Sequence, residues 1–226
     1  MDPEFSDNSS SHLTSGDQYD DKTGLDRLVF FSDAVFAIAI TLLVLDIRLP
    51  AGFEYQDNTQ LFASLVESWQ KHLAYLISFL VIGMVWSSHH RKFRYIKRYD
   101  RTLITLNILL LMVVAYIPFP SSLLSENANR TATIFYALTI MLIGLIMVGL
   151  WWYATWKNRL INPDMSPFEK RIEILNPILT VIVFALSIGI AIIDPSLARL
   201  SWLLLLPVIL FVSHRLAERT QLFYKN

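Results

Sequence analysis

The chain has 226 residues, of which 54% are hydrophobic and only 17% are charged, and its mean hydropathy is +0.45. Soluble proteins average about 25% charged residues, so this composition is typical of an integral membrane protein. The 19 basic and 19 acidic residues cancel, which argues against a nucleic-acid-binding protein, and the absence of cysteine excludes disulfides, thiolate zinc sites and cysteine nucleophiles.

The first segment, residues 1–26, is polar and has no apolar periodicity. Such a composition cannot bury enough apolar surface to order itself, so we expect a disordered cytoplasmic tail. Its first five residues, MDPEF, resemble a vector-derived leader. The segment lacks the basic start and apolar centre of a signal peptide, so a secretion signal is not indicated.

Six apolar segments follow, each near the roughly 20 residues that a helix needs to cross a bilayer core of about 30 Å. They lie at residues 29–49, 70–90, 103–123, 132–156, 174–193 and 198–214. The last two contain runs with no polar face, which is typical of helices in lipid rather than of core helices in soluble proteins. The sequence therefore predicts an all-α integral membrane protein with six transmembrane helices over residues 27–217, followed by a cytoplasmic tail over 218–226.

Basic residues are distributed unevenly between the connecting segments. Those after the first, third and fifth helices hold only Arg48, Lys71, Arg130 and Arg199, while the other 15 of the 19 basic residues lie in the remaining segments. Because basic residues concentrate on the cytoplasmic side, both termini are expected in the cytoplasm. We interpret the basic run at 91–101, in the predicted loop after the second helix, as a topology determinant that also meets anionic lipid headgroups.

The first helix carries polar residues near its inner end. An ionised Asp33 near membrane depth would cost about 2.5–3.5 kcal/mol, so it should have buried partners. The second helix ends close to Trp86 and His90, and the third helix begins close to Asn107, at matching depth. We expect these three residues to form an inner polar network with Ser32 and Asp33. The simpler alternative is an ordinary helix cap at the start of the first helix.

Arg27, Phe31, Ser32 and Asp33 form the pattern RxxxFSD, and the helix continues as VFAIAITLL. At the start of the first of six helices, this pattern resembles bacterial members of the transmembrane protein 175 family, the endosomal and lysosomal potassium channels. The resemblance implies a homotetramer in the bacterial inner membrane, with the first helices lining a central pore and the four motif residues in a structural or assembly role. It also implies a potassium-permeable cation channel without a TVGYG filter, a sequence that this chain lacks.

Ile38, Thr41, Leu42 and Leu45 recur at i, i+3, i+4 and i+7, which places them on one helical face. Taken alone, such a stripe indicates packing. Under the resemblance, Ile38 corresponds to the apolar constriction of the family, and the four residues are expected to line the pore and form its gate by dewetting. Thr41 would contribute hydroxyls that influence cation preference, although a threonine often bonds back to its own helix.

Other functions fit the sequence less well. His89 and His90 are adjacent, face different sides of a helix and make a poor metal pair, and HExxH and GxSxG motifs are absent, so no enzyme and no metal site is indicated. We expect no cofactor, and as partners only further copies of the chain, lipid and monovalent cations. A secondary transporter of a small solute or ion is the stronger alternative, since transporters use proline-interrupted helices. Pro177 and Pro207 interrupt the last two segments, but Pro177 is expected near a helix start, where proline is tolerated.

Overall fold

The structure is a computed structural model that describes the backbone of residues 10–48 and 57–203 and the side chains from residue 23 onward. Its helices are α1 (Ser10–Leu42), α2 (Asn58–Glu67), α3 (Trp69–Tyr95), α4 (Arg101–Tyr116), α5 (Pro118–Asn127), α6 (Arg130–Thr155) and α7 (Pro167–Ile193), with a further helix over 195–203. A 3₁₀ helix over Leu43–Asp46 continues α1 directly, and the faces of α1 include the residues of this extension. Within the described ranges, β structure is confined to an isolated bridge between Ile96 and Ile161. The all-α prediction is therefore confirmed for this part of the chain.

Five segments of the described ranges are long and apolar enough to cross a membrane. They are Thr23–Asp46, Trp69–Tyr95, Arg101–Asn127, Arg130–Asn158 and Pro167–Ile193. These segments coincide with the first five predicted helices. The predicted sixth helix, 198–214, lies largely outside the described residues, as do the predicted C-terminal tail at 218–226 and residues 1–9. The six-helix count and the domain boundaries therefore stay predictions.

Two helices extend beyond the apolar segments that predict them. α1 begins at Ser10, so residues 10–26 continue the helix where the sequence predicts a disordered tail. α3 continues to Tyr95, through the first part of the predicted basic loop. Once an apolar segment has formed a helix, each added residue gains one backbone hydrogen bond, so the helix propagates into polar residues at little cost.

The start of α7 is fixed by a capping box, in which the Ser166 hydroxyl accepts from the Glu169 N–H while the Glu169 carboxylate accepts from the Ser166 N–H. Pro177 consequently lies inside the helix, and the prediction that it lies near a helix start is wrong. The first two turns of α7 are polar, so hydropathy alone places the start of this helix too late in the sequence. α7 packs closely on α6 at Gly144, where a Cβ would lie 2.7 Å from Cγ2 of Val181.

The third predicted segment is divided between two helices. α4 starts after Asp100, whose carboxylate accepts from the Leu103 N–H at 2.8 Å, and it ends at Tyr116. α5 then starts at Pro118, because proline has no N–H to donate and its ring clashes with the preceding turn. Together α4 and α5 still form one candidate span.

The core has two parts. The main part joins α1, α3, α4, α5, α6 and α7 and includes Phe36, Leu43, Ile82, Leu110, Leu124, Tyr136 and Phe184. The smaller part includes Phe93, Leu103, Trp151 and Ile161 and lies where α3 ends, α4 begins and α6 ends. We call that end of the bundle, which carries the basic residues of 91–101, the basic end. Both parts of the core pack against the same face of α1, and this packing determines which face of the helix remains exposed.

Candidate functional site

One face of α1 is buried against the rest of the chain. Ser32, Phe36, Ala39 and Leu43 recur every three or four residues, and each is at most 1% exposed. Phe36 and Leu43 belong to the main core, which contains residues from α3, α4 and α6. The rotation of α1 about its axis is therefore set by packing within the subunit.

The opposite face of α1 is not covered by the described part of the chain. Ile38, Leu42 and Leu45 are 58%, 41% and 57% exposed, and Thr41 is exposed beside them. These are the four residues for which the sequence predicts a pore-lining role. An apolar face of this size is expected to be covered by lipid or by another subunit, since about half of its side-chain surface is exposed in the described part of the chain.

The Thr41 hydroxyl donates a hydrogen bond to the backbone oxygen of Ile38 at 2.9 Å. A hydroxyl has one proton to donate and two lone pairs that accept. Because the Thr41 proton is used within the helix, the lone pairs of its Oγ1 remain available to a cation or a water molecule. The local bond that often gives threonine a purely structural role therefore leaves this side chain free to act as an acceptor.

Three helices meet at a chain of buried hydrogen bonds near the basic end. The Asn107 amide nitrogen donates to the Ser32 hydroxyl at 2.9 Å, and the Ser32 hydroxyl donates to the Leu28 oxygen at 2.8 Å. Nε2 of His89 lies 2.8 Å from the Asn107 amide oxygen, which can only accept, so Nε2 carries the proton. Ser32, His89 and Asn107 are all fully buried. This chain joins α1, α3 and α4.

Asp33 has a different partner. The indole Nε1 of Trp86 donates to its carboxylate at 2.8 Å. Trp86 is 40% exposed, and its ring lies 5.6 Å from the ring of His90. The structure thus brings Asp33 and Trp86 together as the sequence predicts, at the edge of the bundle rather than in its centre.

The histidine that bonds to Asn107 is His89, whereas His90, the histidine of the predicted network, lies beside Trp86. α3 turns its Ile82 and Val85 side chains into the core, and His89 follows on the same face three to four residues later. His89 packs between Phe36 and Phe93, with ring centroids 5.5 and 4.2 Å away. His90 is rotated by about 100° and is exposed.

The RxxxFSD motif is divided between the two faces of α1. Ser32 and Asp33 contact α4 and α3, as described above. Arg27 is exposed and Phe31 is 56% exposed, and both lie on the same side of the helix as Ile38 and Leu45. Half of the motif therefore anchors the helix within the subunit, and the other half continues the uncovered face.

A buried ionic cluster at the basic end was not predicted. Lys92 is 0% exposed, donates to the Ser88 hydroxyl at 2.8 Å and lies 3.7 Å from the carboxylate of Glu173. Arg91 pairs with the same carboxylate at 3.4 Å, and the Lys92 ammonium lies 5.7 Å from the ring centre of Trp151. The cluster ties α3 to α7. Helical spacing could have indicated the burial of Lys92, since it lies seven residues after Val85 and therefore on the same buried face of α3. The polar composition of residues 91–101 instead assigns Lys92 to a loop.

Within residues 23–48 and 57–203, no group of three or more histidine and carboxylate side chains could hold a metal ion.

The comparisons with known proteins agree with one another. Residues 27–118 match the family model described as the endosomal/lysosomal potassium channel TMEM175. A potassium channel of Streptomyces collinus is 38% identical over 176 residues, which cover 76% of this chain and 84% of that protein. The endosomal/lysosomal proton channel TMEM175 of Gallus gallus is 32% identical over 152 residues, which cover 64% of this chain but only 30% of that protein.

Two solved structures have a similar fold. The crystal structure of a lysosomal potassium-selective channel TMEM175 homolog from Chamaesiphon minutus matches with a TM-score of 0.74 and 30% sequence identity, covering 84% of this chain and 98% of that chain. A variant of the potassium channel MtTMEM175 matches with a TM-score of 0.55 and 24% identity, covering 88% and 94% of the two chains. The second likeness concerns the fold alone.

Proposed function

We propose, from the premise that this chain belongs to the TMEM175 family, that it assembles as a homotetramer and forms a potassium-permeable cation channel in the bacterial inner membrane. Two relatives are named potassium channels, which supports potassium as the permeant ion. The distribution of basic residues supports cytoplasmic termini.

The observation that carries the proposal is the division of α1 into two faces. One face is fixed in the core by Phe36 and Leu43, and the opposite face, with Ile38 and Leu45, is left uncovered. A rigidly held helix with an uncovered apolar face is what a pore-lining element requires, because the same face must be presented to the axis by every subunit. The single RxxxFSD motif gives each subunit one such helix.

The constriction is the apolar stretch from Ile38 to Leu45. With a rise of about 1.5 Å per residue in α1 and about 2.0 Å in the 3₁₀ helix, these residues extend over about 12 Å along the axis. Rings of branched side chains at this spacing expel water when the opening is narrow, and a hydrated ion then loses its shell without replacement. The gate is therefore hydrophobic, and conduction requires the rings to widen.

Cation preference comes from the Thr41 hydroxyls. Lone pairs of Thr41 Oγ1 point away from the proton that bonds to the Ile38 oxygen, so four copies would offer acceptors to a partly dehydrated cation. A ring of four hydroxyls replaces less of the hydration shell than a cage of backbone carbonyls does. We therefore expect weaker discrimination between potassium and sodium than a carbonyl filter gives.

The test is cation flux from liposomes that contain the purified protein, with empty liposomes as the control and the particle mass measured by light scattering. Potassium efflux from tetrameric particles is the expected result. Efflux from particles of another mass would contradict the proposed tetrameric state but not the proposed channel function. Folded, tetrameric protein that conducts no monovalent cation would overturn the channel.

Secondary transport is the second candidate, and the proline positions favour it. The span formed by α4 and α5 is broken at Pro118, and α7 contains Pro177 although it continues through it, so two of the candidate spans contain an internal proline. Single-protein electrical recordings distinguish the two functions. Discrete current steps identify a channel, whereas flux that saturates with substrate and shows no steps identifies a transporter.

A further inference from the structure

A cavity of about 700 Å³ opens at the basic end, between the connection from α3 to α4 and the connection from α6 to α7. This volume is in the range of small-molecule sites. Basic side chains from the end of α3 and from the two connections line it, together with apolar residues of the smaller core and Leu25 of α1. Neither the inner polar network nor the proposed pore accounts for it.

The cavity has a strong excess of positive charge. Arg94, Lys97, Arg98 and Arg159 line it, against the single carboxylate of Asp26. In the described part of the chain, none of these four cations lies within 4.0 Å of a carboxylate oxygen, although Arg159 interacts with Asp100 over a longer distance. Arg159 is held in place by Tyr153, whose ring centre lies 5.0 Å from its guanidinium carbon. The lining therefore fits an anionic ligand.

The backbone at the floor of the cavity is fixed by hydrogen bonds within the chain. The isolated bridge between Ile96 and Ile161 joins the two connections. The backbone N–H groups of Lys97 and Arg98 donate to the Leu160 oxygen at 2.8 and 3.2 Å. Rigid walls reduce the ordering that a ligand must induce, and so favour binding.

One side of the cavity is apolar. Phe93, Ile96 and Ile161 are each at most 4% exposed and form part of the smaller core beneath the basic side chains. Close by, at the same end of α6, Trp152 and Trp156 are 55% and 52% exposed. Exposed tryptophans of this kind lie at the level of the lipid headgroups. A ligand at this depth meets basic groups on one side and apolar surface on the other, as a phospholipid does.

We propose that this cavity binds the headgroup of an anionic phospholipid. The phosphate lies among Arg94, Lys97, Arg98 and Arg159, and the glycerol and first acyl carbons lie against the apolar side. Phosphate chemistry is shared with water-soluble phosphate esters, but the exposed tryptophans favour the membrane as the source. The site lies off the proposed pore face, since Leu25 is buried on the opposite side of α1 from Leu45, and it does not depend on conduction.

The test measures the thermal unfolding of the full chain in detergent with added short-chain lipid. A ligand that binds only the folded state raises the melting temperature. We expect dioctanoyl phosphatidylglycerol to raise it by a few degrees, and dioctanoyl phosphatidylcholine and glycerol 3-phosphate to raise it much less. An equal rise with phosphatidylcholine would overturn the requirement for anionic charge. An equal rise with glycerol 3-phosphate would identify a soluble phosphate as the ligand and overturn the lipid.

Location is tested by removing three charges from the cavity, with Arg94→Gln, Lys97→Gln and Arg98→Gln combined. The matched control removes three exposed charges at the same end but outside the lining, with Arg101→Gln, Lys157→Gln and Arg171→Gln combined. The cavity variant should lose at least about half of the shift caused by phosphatidylglycerol, while the control retains it. Equal shifts in both would overturn the site.

A second variant decides the matter if the triple cavity variant does not fold. Arg159→Gln removes one cation from the other connection and leaves the bridge between Ile96 and Ile161 intact. It should reduce the shift partially. A full shift in this folded variant would overturn the assignment.

Discussion

The amide nitrogen of Asn107 donates a 2.9 Å hydrogen bond to the hydroxyl of Ser32, and both side chains are fully buried. The same amide accepts from Nε2 of His89, so one asparagine on α4 holds both α1 and α3. Because Ser32 lies on the buried face of α1, this contact helps to fix the rotation of that helix. The orientation of the proposed pore face therefore depends on a residue that lies outside the pore.

Replacing Asn107 with leucine should destabilise the subunit. Leucine has a similar volume but leaves the His89 N–H without an acceptor and Ser32 without a donor, which costs about 1–3 kcal/mol. Thermal unfolding in detergent measures the loss. Asn127→Leu is the control, because Asn127 is exposed and makes one long bond of 3.4 Å to the Leu123 oxygen. Equal melting temperatures for the two variants would contradict the role of the buried chain.

Matched depth in the membrane was enough to predict part of this site. Ser32, Asn107, Asp33 and Trp86 occur at corresponding heights on helices whose direction follows from the charge distribution. A buried polar group must find a partner, and few partners exist at that height. Depth alone does not give the rotation of a helix, and for this reason the sequence pointed to His90 where the structure has His89.

Contacts between distant segments could not be predicted in the same way. Lys92 and Glu173 are 81 positions apart, and each lies in a polar stretch that composition assigns to a loop. Their pairing requires α3 and α7 to extend beyond their apolar parts and to meet. The helix break at Pro118 was missed because apolar residues continue on both sides of it.

The exposed face of α1 should act as the gate. Ile38→Ala or Leu42→Ala shortens a side chain in a ring that excludes water, so the barrier to ions falls and basal potassium flux rises several-fold. Val44→Ala is the control, since Val44 is 50% exposed but lies about 120° around the 3₁₀ helix from Leu45. Liposome flux assays compare the three. Flux that is unchanged in both test variants, or raised equally in the control, would show that this face is not the constriction.

Thr41 should influence which cation passes. Thr41→Val keeps the shape of the side chain but removes the oxygen, so the ratio of potassium to sodium flux should fall. Thr41→Ser keeps the hydroxyl, which can still donate to the Ile38 oxygen, and should preserve the ratio. Reversal potentials, recorded with potassium on one side of the membrane and sodium on the other, measure the ratio of potassium to sodium permeability. Identical ratios in Thr41→Val and the parent chain would contradict a role for the hydroxyl.

Asp100 should make stability depend on pH in the acid range. Burial alone raises the pKa of this carboxyl, but the hydrogen bonds from the Tyr153 hydroxyl and the Leu103 N–H outweigh it and hold the pKa below its ordinary value of 3.8. A lowered pKa in the folded state stabilises the protein above about pH 4, and this contribution is lost as the pH falls through the folded-state value.

Asp100→Asn isolates that charge, because asparagine still caps α4 and still accepts from Tyr153. The fall in melting temperature between pH 5 and pH 3 should be smaller in the variant than in the parent chain. Asp164→Asn, an exposed change at the same end, is the control. A variant with the same acid dependence as the parent would show that Asp100 does not contribute to it.

The Lys92 cluster gives the largest expected loss of stability. Glu173→Gln removes the carboxylate that faces a fully buried ammonium, and an unpaired buried charge costs about 3–5 kcal/mol. Combining Glu173→Gln with Lys92→Met removes the buried charge as well, so it should recover much of the loss. Because Arg91 is partly exposed, water can solvate it when the carboxylate is removed.

Thermal unfolding of the single and double variants decides between two explanations. Recovery in the double variant identifies the cost as electrostatic, whereas a further loss would mean that Lys92 stabilises α3 through its packing against Trp151.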